Sequence, residues 1–214
     1  MLMKNIFLII IFLFSSLSIF SQESENGEIK TILGNVKVTK ITAFGGPVMN
    51  FTLIDNDFAF MLGGGGGCLL NDHFFFGGYG MGLVNKIYAK QNISDHENSN
   101  TDIYKNMKLD YGSGGIWLGY IFLGKSPIHP LIHTQIGWGN INITDLNDLK
   151  TIYYSDNIFI INPTIEADLN ITRFFRIGIG ANYRLTLGVN KLLGYNNNNF
   201  SGPGGFLTFK FGYF

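Results

Sequence analysis

Residues 173–188 read RFFRIGIGANYRLTLG, and from Phe175 to Leu187 every second residue is apolar or aromatic. The residues between them are arginine, asparagine, threonine or glycine. A period of two over this length predicts a β-strand with one apolar face and one polar or small face. Residues 203–214, PGGFLTFKFGYF, repeat the alternation. The apolar positions of this last stretch are Leu207, Phe209, Phe211 and Tyr213.

The same pattern, interrupted by turn-forming residues, divides the chain into eight strand-like segments. Most of them are longer than the ~5–6 residues usual in globular sheets and match the ~9–11 residues or more of a tilted membrane strand. The predicted segments are Val36–Gly45, Asp57–Leu69, His73–Asn85, Lys108–Phe122, His129–Ile141, Asn157–Leu169, Arg173–Gly188 and Pro203–Tyr213.

The predicted connections alternate between short and long. Tight turns are predicted at 71–72, 124–127 and 170–172, and loops rich in Asn, Asp, Ser and Gly at 46–56, 86–107, 142–156 and 189–202. An even number of strands then places all tight turns and both termini at one end of the sheet. This asymmetry is typical of outer-membrane barrels, with short periplasmic turns and longer external loops. The fold class predicted is an all-β, eight-stranded antiparallel up-and-down transmembrane β-barrel.

The composition excludes several classes of function. Charged residues make up 14% of the 214 residues, against roughly 25% in ordinary soluble proteins. The formal net charge is zero, so no electrostatic argument favours a nucleic-acid partner. Cys68 is the only cysteine, which excludes an intramolecular disulfide and a cysteine-based zinc cluster. No cofactor or metal site is predicted.

The first residues are predicted to be an export signal. Lys4 is followed by an unbroken apolar stretch, 6–14, and then by small and polar residues up to Ser21. Cleavage is expected near Ser21 or Gln22. An uncleaved anchor helix is the alternative, but the apolar stretch is shorter than the ~20 residues that span a bilayer. The predicted organisation is a signal peptide (1–22), a short periplasmic N-terminal segment (23–35) and a barrel domain (36–214).

Three features predict that the apolar face of the barrel points outward, into lipid. The polar face carries many glycines, which suit the crowded interior of an eight-stranded barrel better than a solvent-facing strand. The opposite face is almost free of charge, as hydrocarbon demands. Aromatic residues lie near strand ends, where an interfacial belt is expected. For the first three strands the two faces are not assigned. The aromatic residues near strand ends are Tyr120, Phe122, Trp138, Phe175, Tyr183, Tyr213 and Phe214.

The export signal, eight strands, loop asymmetry and aromatic C-terminal strand resemble small outer-membrane barrels of the OmpA/OmpX type, with Bacteroidetes as the suggested group. The resemblance implies an outer-membrane location, a lipid bilayer as the surrounding partner and recognition of the last strand by the barrel-insertion machinery. The C-terminal assembly signal would comprise Phe209, Phe211, Tyr213 and Phe214. The terminus departs from the usual pattern because Gly212 and Lys210, not apolar residues, share the face of Phe214.

Charged residues on the inward face predict a polar network in the lumen. A turn centred on Ile171 would place Glu166 opposite Arg176, with Asp168 near Phe174. Such groups are expected to neutralise one another, because an eight-stranded barrel is only just wide enough for its own side chains and leaves no solute pore. The predicted network consists of His133, Glu166, Asp168, Arg176, Arg184 and Lys210.

Catalysis is considered because some similar barrels modify lipid A with a serine, a histidine and an acidic partner near the outer rim. His73 and His129 adjoin tight turns at the opposite end, and His133 points inward without an adjacent serine. His96 lies in a loop beside Ser94, Asp95 and Glu97, where a solvated surface is the simpler reading. No catalytic residue is assigned and no enzymatic activity is predicted.

The predicted function is therefore a monomeric, non-enzymatic barrel with a side-chain-filled lumen. Its role would be envelope integrity, or adhesion and binding through the external loops, above all 86–107, with a partner that the sequence does not name. Two alternatives stay open. One is a secreted lipocalin-like barrel that binds an apolar ligand, and the other is a lipid A-modifying barrel enzyme.

Overall fold

The structure, a computed structural model, describes residues 39–89, 107–123, 126–146, 152–192 and 194–214. The predicted signal peptide and N-terminal segment, 1–22 and 23–35, lie outside the described residues. The strands are β1 (Ile41–Ile54), β2 (Asp57–Leu70), β3 (Phe74–Leu83), β4 (Ile87–Tyr88), β5 (Met107–Ile121), β6 (Ile128–Asp145), β7 (Ile152–Thr172), β8 (Phe175–Leu187) and β9 (Gly202–Gly212). Within the described residues, a 3₁₀ turn spans Asn197–Phe200.

Eight long antiparallel strands form a closed ring. The sheet order is β3-β2-β1-β9-β8-β7-β6-β5, and β5 also pairs with β3, which closes the ring. The two-residue strand β4 adds to β5 at one end only. The predicted eight-stranded antiparallel barrel is therefore confirmed. Within the described residues, no helix has the length and apolar character needed to cross a membrane.

The two ends of the barrel differ in their connections. At one end, here called the turn end, short connections follow Leu70, Ile121 and Thr172. At the other, the loop end, the connections after Leu83 and Leu187 are longer, whereas the connection after Asp145 has the same length as the one after Ile121. The predicted asymmetry thus holds for five of the seven connections. The predicted loop 142–156 is shorter than expected, because β6 extends to Asp145 and β7 begins at Ile152.

The first hairpin corrects the sequence prediction. The predicted strand Val36–Gly45 and loop 46–56 are wrong, because β1 continues to Ile54 and only Asp55 and Asn56 separate it from β2. Both residues have positive φ, 49° and 64°, the conformation of a two-residue hairpin turn that Asp and Asn tolerate. Gly46 and Pro47, which resemble strand breakers, fall where the β1–β9 pairing is interrupted between Gly45 and Val48.

The side chains of β8 establish which face is inside. Arg176 and Arg184 are 3% and 2% exposed, whereas Ile179 on the opposite face is 66% exposed. The polar face is therefore interior, as predicted. On β1–β3, whose faces were not assigned from the sequence, most interior residues are apolar, and the buried polar exceptions on β1 are Asn50 and Thr52. The larger apolar residues of this interior face include Phe44, Val48, Met61, Leu69, Phe75 and Met81.

The glycine run 63–67 lies in β2 and makes room for an aromatic ring. A Cβ on Gly65 would lie 2.8 Å from Cζ3 of Trp117, a residue of β5 that is 1% exposed. The absence of a side chain at Gly65 therefore allows the Trp117 ring to lie against the backbone of β2.

Candidate functional site: the polar cluster inside the barrel

Three strands of the ring, β6, β7 and β9, supply a group of buried polar side chains near the turn end. His133 comes from β6, Glu166 and Asp168 from β7, and Thr208 and Lys210 from β9. All five are 5% exposed or less. We call these five residues the inner polar cluster.

Trp117 fixes the orientation and the tautomer of His133. The indole Nε1 of Trp117 donates a hydrogen bond to Nδ1 of His133 at 2.9 Å. Because an indole N–H can only donate, Nδ1 carries the lone pair and the ring proton resides on Nε2. Nε2 in turn donates to Oε2 of Glu166 at 2.7 Å.

Lys210 joins the two carboxylates of the cluster. Its Nζ lies 2.8 and 2.9 Å from the two carboxylate oxygens of Asp168 and 3.3 Å from Oε1 of Glu166. The hydroxyl of Thr208 donates a hydrogen bond to the same Oε1. Each oxygen of Glu166 is thus satisfied, which is the condition under which a buried charge is tolerated.

Gly178 provides the space for this arrangement. It pairs with Asp168 on β7 and with Thr208 on β9, and it faces the interior. A Cβ at this position would overlap side-chain oxygens of Glu166, Asp168 and Thr208. Sequence reasoning counted Gly178 among the interior glycines but did not connect it with the polar cluster.

The predicted pairing of Glu166 with Arg176 is wrong. β7 continues to Thr172 and the turn falls on Arg173 and Phe174, so Glu166 pairs with Gly180 while Arg176 pairs with Asn170. The guanidinium carbon of Arg176 instead lies 3.8 Å from the ring centroid of Phe214.

Arg184 also lies apart from the inner polar cluster, towards the loop end. Its Nε donates to the carbonyl of Phe200 at 2.8 Å, and its terminal nitrogens contact the carbonyl of Leu53 at 2.9 Å and Sδ of Met61 at 3.0 Å. No carboxylate pairs with Arg184 within the described part of the chain. The six predicted network residues therefore separate into a cluster of four and two single arginines.

The connection 188–201, which we call the mouth segment, packs against the loop end of the barrel. Phe200 is fully buried, and Thr186 Oγ1 donates to its carbonyl at 2.9 Å. At the start of the segment, Oδ2 of Asp156 accepts from the backbone N–H groups of Asn190 and Lys191 at 2.5 and 2.7 Å. The other buried residues of the segment are Val189, Leu192 and Tyr195.

A row of amides was missed in the sequence analysis. Asn182 Nδ2 donates to Asn162 Oδ1 at 2.6 Å, and Asn162 Nδ2 donates to Gln135 Oε1 at 3.1 Å. The alternation of the strands would have placed all three residues on the inward face of consecutive strands. A single asparagine or glutamine in each strand, however, does not by itself predict that the amides bond to one another.

The histidines do not form a catalytic arrangement within the described residues. Nδ1 of His73 and Nδ1 of His129 lie 2.9 Å from the carbonyls of Ile121 and Leu123 at the turn end. The group around His96 lies outside the described residues. Among the residues that the structure describes, no three His, Cys, Asp or Glu side chains are grouped so as to hold a metal ion.

The residues of the predicted assembly signal occupy both faces of β9 and its end. Phe209, Phe211 and Tyr213 are outside, and Phe211 stacks on Phe175 with ring centroids 4.8 Å apart. Phe214 lies on the inner side over Arg176, so it does not belong to the outer aromatic belt predicted from the sequence.

Comparison with solved structures identifies the architecture. The chain superposes on Neisserial surface protein A (NspA) with a TM-score of 0.52 and 12% sequence identity, covering 81% of this chain and 96% of that one. The fold is that of the small outer-membrane β-barrels. The resemblance predicted from the sequence is thus confirmed at the level of fold.

Two further matches are more distant. They are the N-terminal barrel of Pseudomonas aeruginosa OprF (TM-score 0.48, 12% identity, 81% of this chain and 97% of that one) and Ail, the attachment invasion locus protein of Yersinia pestis (TM-score 0.42, 11% identity, 81% and 96%). No protein-family model and no curated protein sequence matches the chain.

Proposed function

We propose that this protein is a non-enzymatic β-barrel of the bacterial outer membrane, with a lumen closed by its own side chains. Its role is structural, or it binds partners through the segments at the loop end. One observation carries the proposal. The barrel strands bury five charged residues, Glu166, Asp168, Arg176, Arg184 and Lys210, and expose a band of large apolar side chains where a soluble barrel would present polar residues to water.

The apolar band runs around the ring. Leu62, Phe76, Ile116, Ile132, Ile165 and Ile179, from β2, β3 and β5–β8, are each 40% exposed or more. An exposed apolar surface much larger than a few hundred Å² is rare in soluble monomers and leads to association in water. In hydrocarbon the same surface is favourable. This distribution argues against the lipocalin-like alternative, in which the outer face would be polar.

Aromatic side chains lie on the outer face near both ends. Trp138 packs edge-on against Phe159 with centroids 5.6 Å apart towards the loop end, and Tyr120 packs on Phe122 at 5.0 Å at the turn end. Tyr and Trp prefer the interface between hydrocarbon and headgroups, so two such levels are expected of a membrane-spanning barrel.

A closed lumen is supported by burial and by charge. The inner polar cluster and both arginines are at most 5% exposed, and an eight-stranded barrel has space for little beyond its own side chains. With His133 neutral, the negative charges of Glu166 and Asp168 are offset by Lys210 and by the nearby Arg176. We therefore assign the cluster a structural role and expect no solute pore.

The proposed orientation follows from the connections. The turn end faces the periplasm and the loop end faces outside, so a partner would meet the connections after Leu83, Asp145 and Leu187. Residues 1–22 act as the signal peptide, cleaved near Ser21 or Gln22, and the insertion machinery recognises β9. The mature protein is a monomer. A Bacteroidetes origin stays a prediction.

Fractionation combined with gel mobility tests the proposal. We expect the expressed protein in the outer-membrane fraction, resistant to extraction by urea or high salt, with a band that shifts on boiling. Recovery in the soluble periplasmic or secreted fraction without detergent would instead support the lipocalin-like alternative. Mass spectrometry of lipid A from cells with and without the gene tests the enzyme alternative, and identical spectra are expected.

A further inference from the structure

The turn end contains a cleft of about 480 Å³ that the inner polar cluster does not use. Lys40, Asp72, Arg173, Arg176 and Phe214 line it. Three of these five residues are cations and one is an acid. Asp72 pairs with Lys40 at 2.8 Å, and within the described residues neither arginine of the cleft forms a salt bridge.

Arg176 is the most unusual of these residues. It is 3% exposed, yet its Nε has no hydrogen-bond partner, and its guanidinium makes no hydrogen bond or salt bridge to any described residue. A guanidinium has five N–H donors in a rigid fork, and a buried donor left unpaired is costly. The interior carboxylate of Asp168 is bound through both oxygens by Lys210.

Phe214 holds the guanidinium of Arg176 in a fixed plane. The ring lies 3.8 Å from the guanidinium carbon, so one face of the fork is covered, while Arg176 borders the cleft. A guanidinium that is oriented in this way loses little freedom when it binds a planar or tetrahedral oxyanion through two N–H groups.

The position of the cleft along the barrel axis indicates where such an anion would come from. Exposed apolar side chains surround the turn end, including Ile41 and Tyr213 on the outer face and Phe174 in the β7–β8 turn. If the barrel spans a membrane, these residues mark the edge of the hydrocarbon, and the cleft lies at the level of the lipid headgroups.

We propose that the turn-end cleft binds a phosphate ester, supplied by a phospholipid headgroup of the adjoining leaflet, with Arg176 as the main ligand and Arg173 as the second. This inference rests on the proposed function, because only a membrane-embedded barrel presents the cleft to headgroups.

Binding of short-chain lipid to the full-length folded barrel tests the proposal. The protein is held in octyl glucoside, which contains no phosphate, and titrated with dihexanoylphosphatidylglycerol, glycerol phosphate or dihexanoylglycerol. Binding is followed by calorimetry for the wild type and for Arg176→Met and Arg173→Gln. Lys191→Met, which removes an exposed cation at the opposite end of the barrel, is the matched control.

We expect saturable binding of dihexanoylphosphatidylglycerol that Arg176→Met weakens about tenfold or more and Arg173→Gln weakens roughly threefold. Lys191→Met should bind like the wild type, and dihexanoylglycerol should not saturate. Equal affinity of the wild type and Arg176→Met would overturn the proposal. If Arg176→Met does not fold, unchanged affinity in Arg173→Gln would overturn it equally.

Two further measurements distinguish the source of the phosphate from the membrane location of the barrel. Glycerol phosphate that binds as tightly as the lipid would retain the phosphate chemistry and refute the lipid as its source. Insertion into liposomes and the gel shift on boiling are measured for each variant. A wild-type chain that fails to insert contradicts the proposed function, whereas insertion with no effect of Arg176→Met contradicts the cleft alone.

Discussion

Glu166 is the residue on which the inner polar cluster depends, because it contacts three of the other four members. Its oxygens accept from His133 and Thr208 and face Lys210. A carboxylate in this position compensates a buried ammonium that otherwise has only Asp168 as its counter-charge.

Removal of this carboxylate should destabilise the barrel strongly. We expect Glu166→Ala to lower the free energy of unfolding by ~3–5 kcal/mol, because it leaves Lys210 under-compensated and His133 without an acceptor. Urea titration of the folded protein in detergent measures the loss. Lys108→Met is the control, since its partly exposed pair with Asp110 should contribute less than ~1 kcal/mol. Equal midpoints for Glu166→Ala and the wild type would contradict this role.

Gly178 should tolerate no side chain. Gly178→Ala would push a methyl group into the oxygens of Glu166, Asp168 and Thr208, and we expect a loss of about 1–3 kcal/mol from overpacking. Gly205→Ala is a suitable control, because a Cβ there meets nothing within 4 Å. Unfolding midpoints that fall equally in the two variants would mean that the replacement of a strand glycine by alanine, and not overlap with the cluster, causes the loss of stability.

For individual residues, the sequence predicted which side chains face inward but not which of them contact one another. The period of two placed Glu166, Arg176 and Lys210 on one face, and that assignment holds. Their partners depend on register, and register depends on the turn. A turn on Arg173 and Phe174 in place of Ile171 moves Arg176 from Glu166 to Asn170.

Among the elements, the β1–β2 hairpin was the hardest to predict. Gly46 and Pro47 suggested a loop, whereas the actual turn is the pair Asp55-Asn56. In a soluble sheet the two breakers would end the strand. In a closed ring the paired residues on either side hold β1 in place, and the interruption is confined to one ladder.

The hairpin gives a prediction about backbone conformation. Asn56 has a φ of 64°, so Asn56→Val should lower the free energy of unfolding by about 1–2 kcal/mol. Asn56→Gly, which favours the same conformation, should be neutral or slightly stabilising. The comparison uses urea unfolding of both variants. Equal stability of the Val and Gly variants would show that the turn is not formed as described.

The mouth segment is a second element whose stability can be tested. Phe200 is fully buried at its end, and Phe200→Ala should cost about 3–5 kcal/mol if the segment packs as part of the core. Asn198→Ala, an exposed position of the same 3₁₀ turn, should change the stability by no more than ~0.5 kcal/mol. Similar unfolding midpoints for the two variants would contradict packing of the segment against the barrel.

For the whole molecule, the architecture was predictable because every strand of a membrane barrel alternates between lipid-facing apolar residues and inward-facing residues. Alternation in β5–β9, the position of the connections and the low charge content each indicated the same closed ring. The biological role was not predictable, because it depends on the chemistry of loop-end segments that no periodic pattern constrains. The cleft at the turn end was also missed, since Lys40, Asp72 and Arg176 are far apart in sequence.

The central claim, that the apolar face contacts hydrocarbon, can be measured with the two tryptophans of the chain. Trp138 is 69% exposed on the outer face and Trp117 is 1% exposed inside. Single-tryptophan variants, Trp117→Phe and Trp138→Phe, are inserted into liposomes whose acyl chains carry bromine, and fluorescence quenching is compared with quenching by aqueous acrylamide. Strong bromine quenching of Trp138, with little quenching of Trp117 by either agent, is the predicted result. Acrylamide quenching of Trp138 with no effect of the brominated lipid would contradict the account.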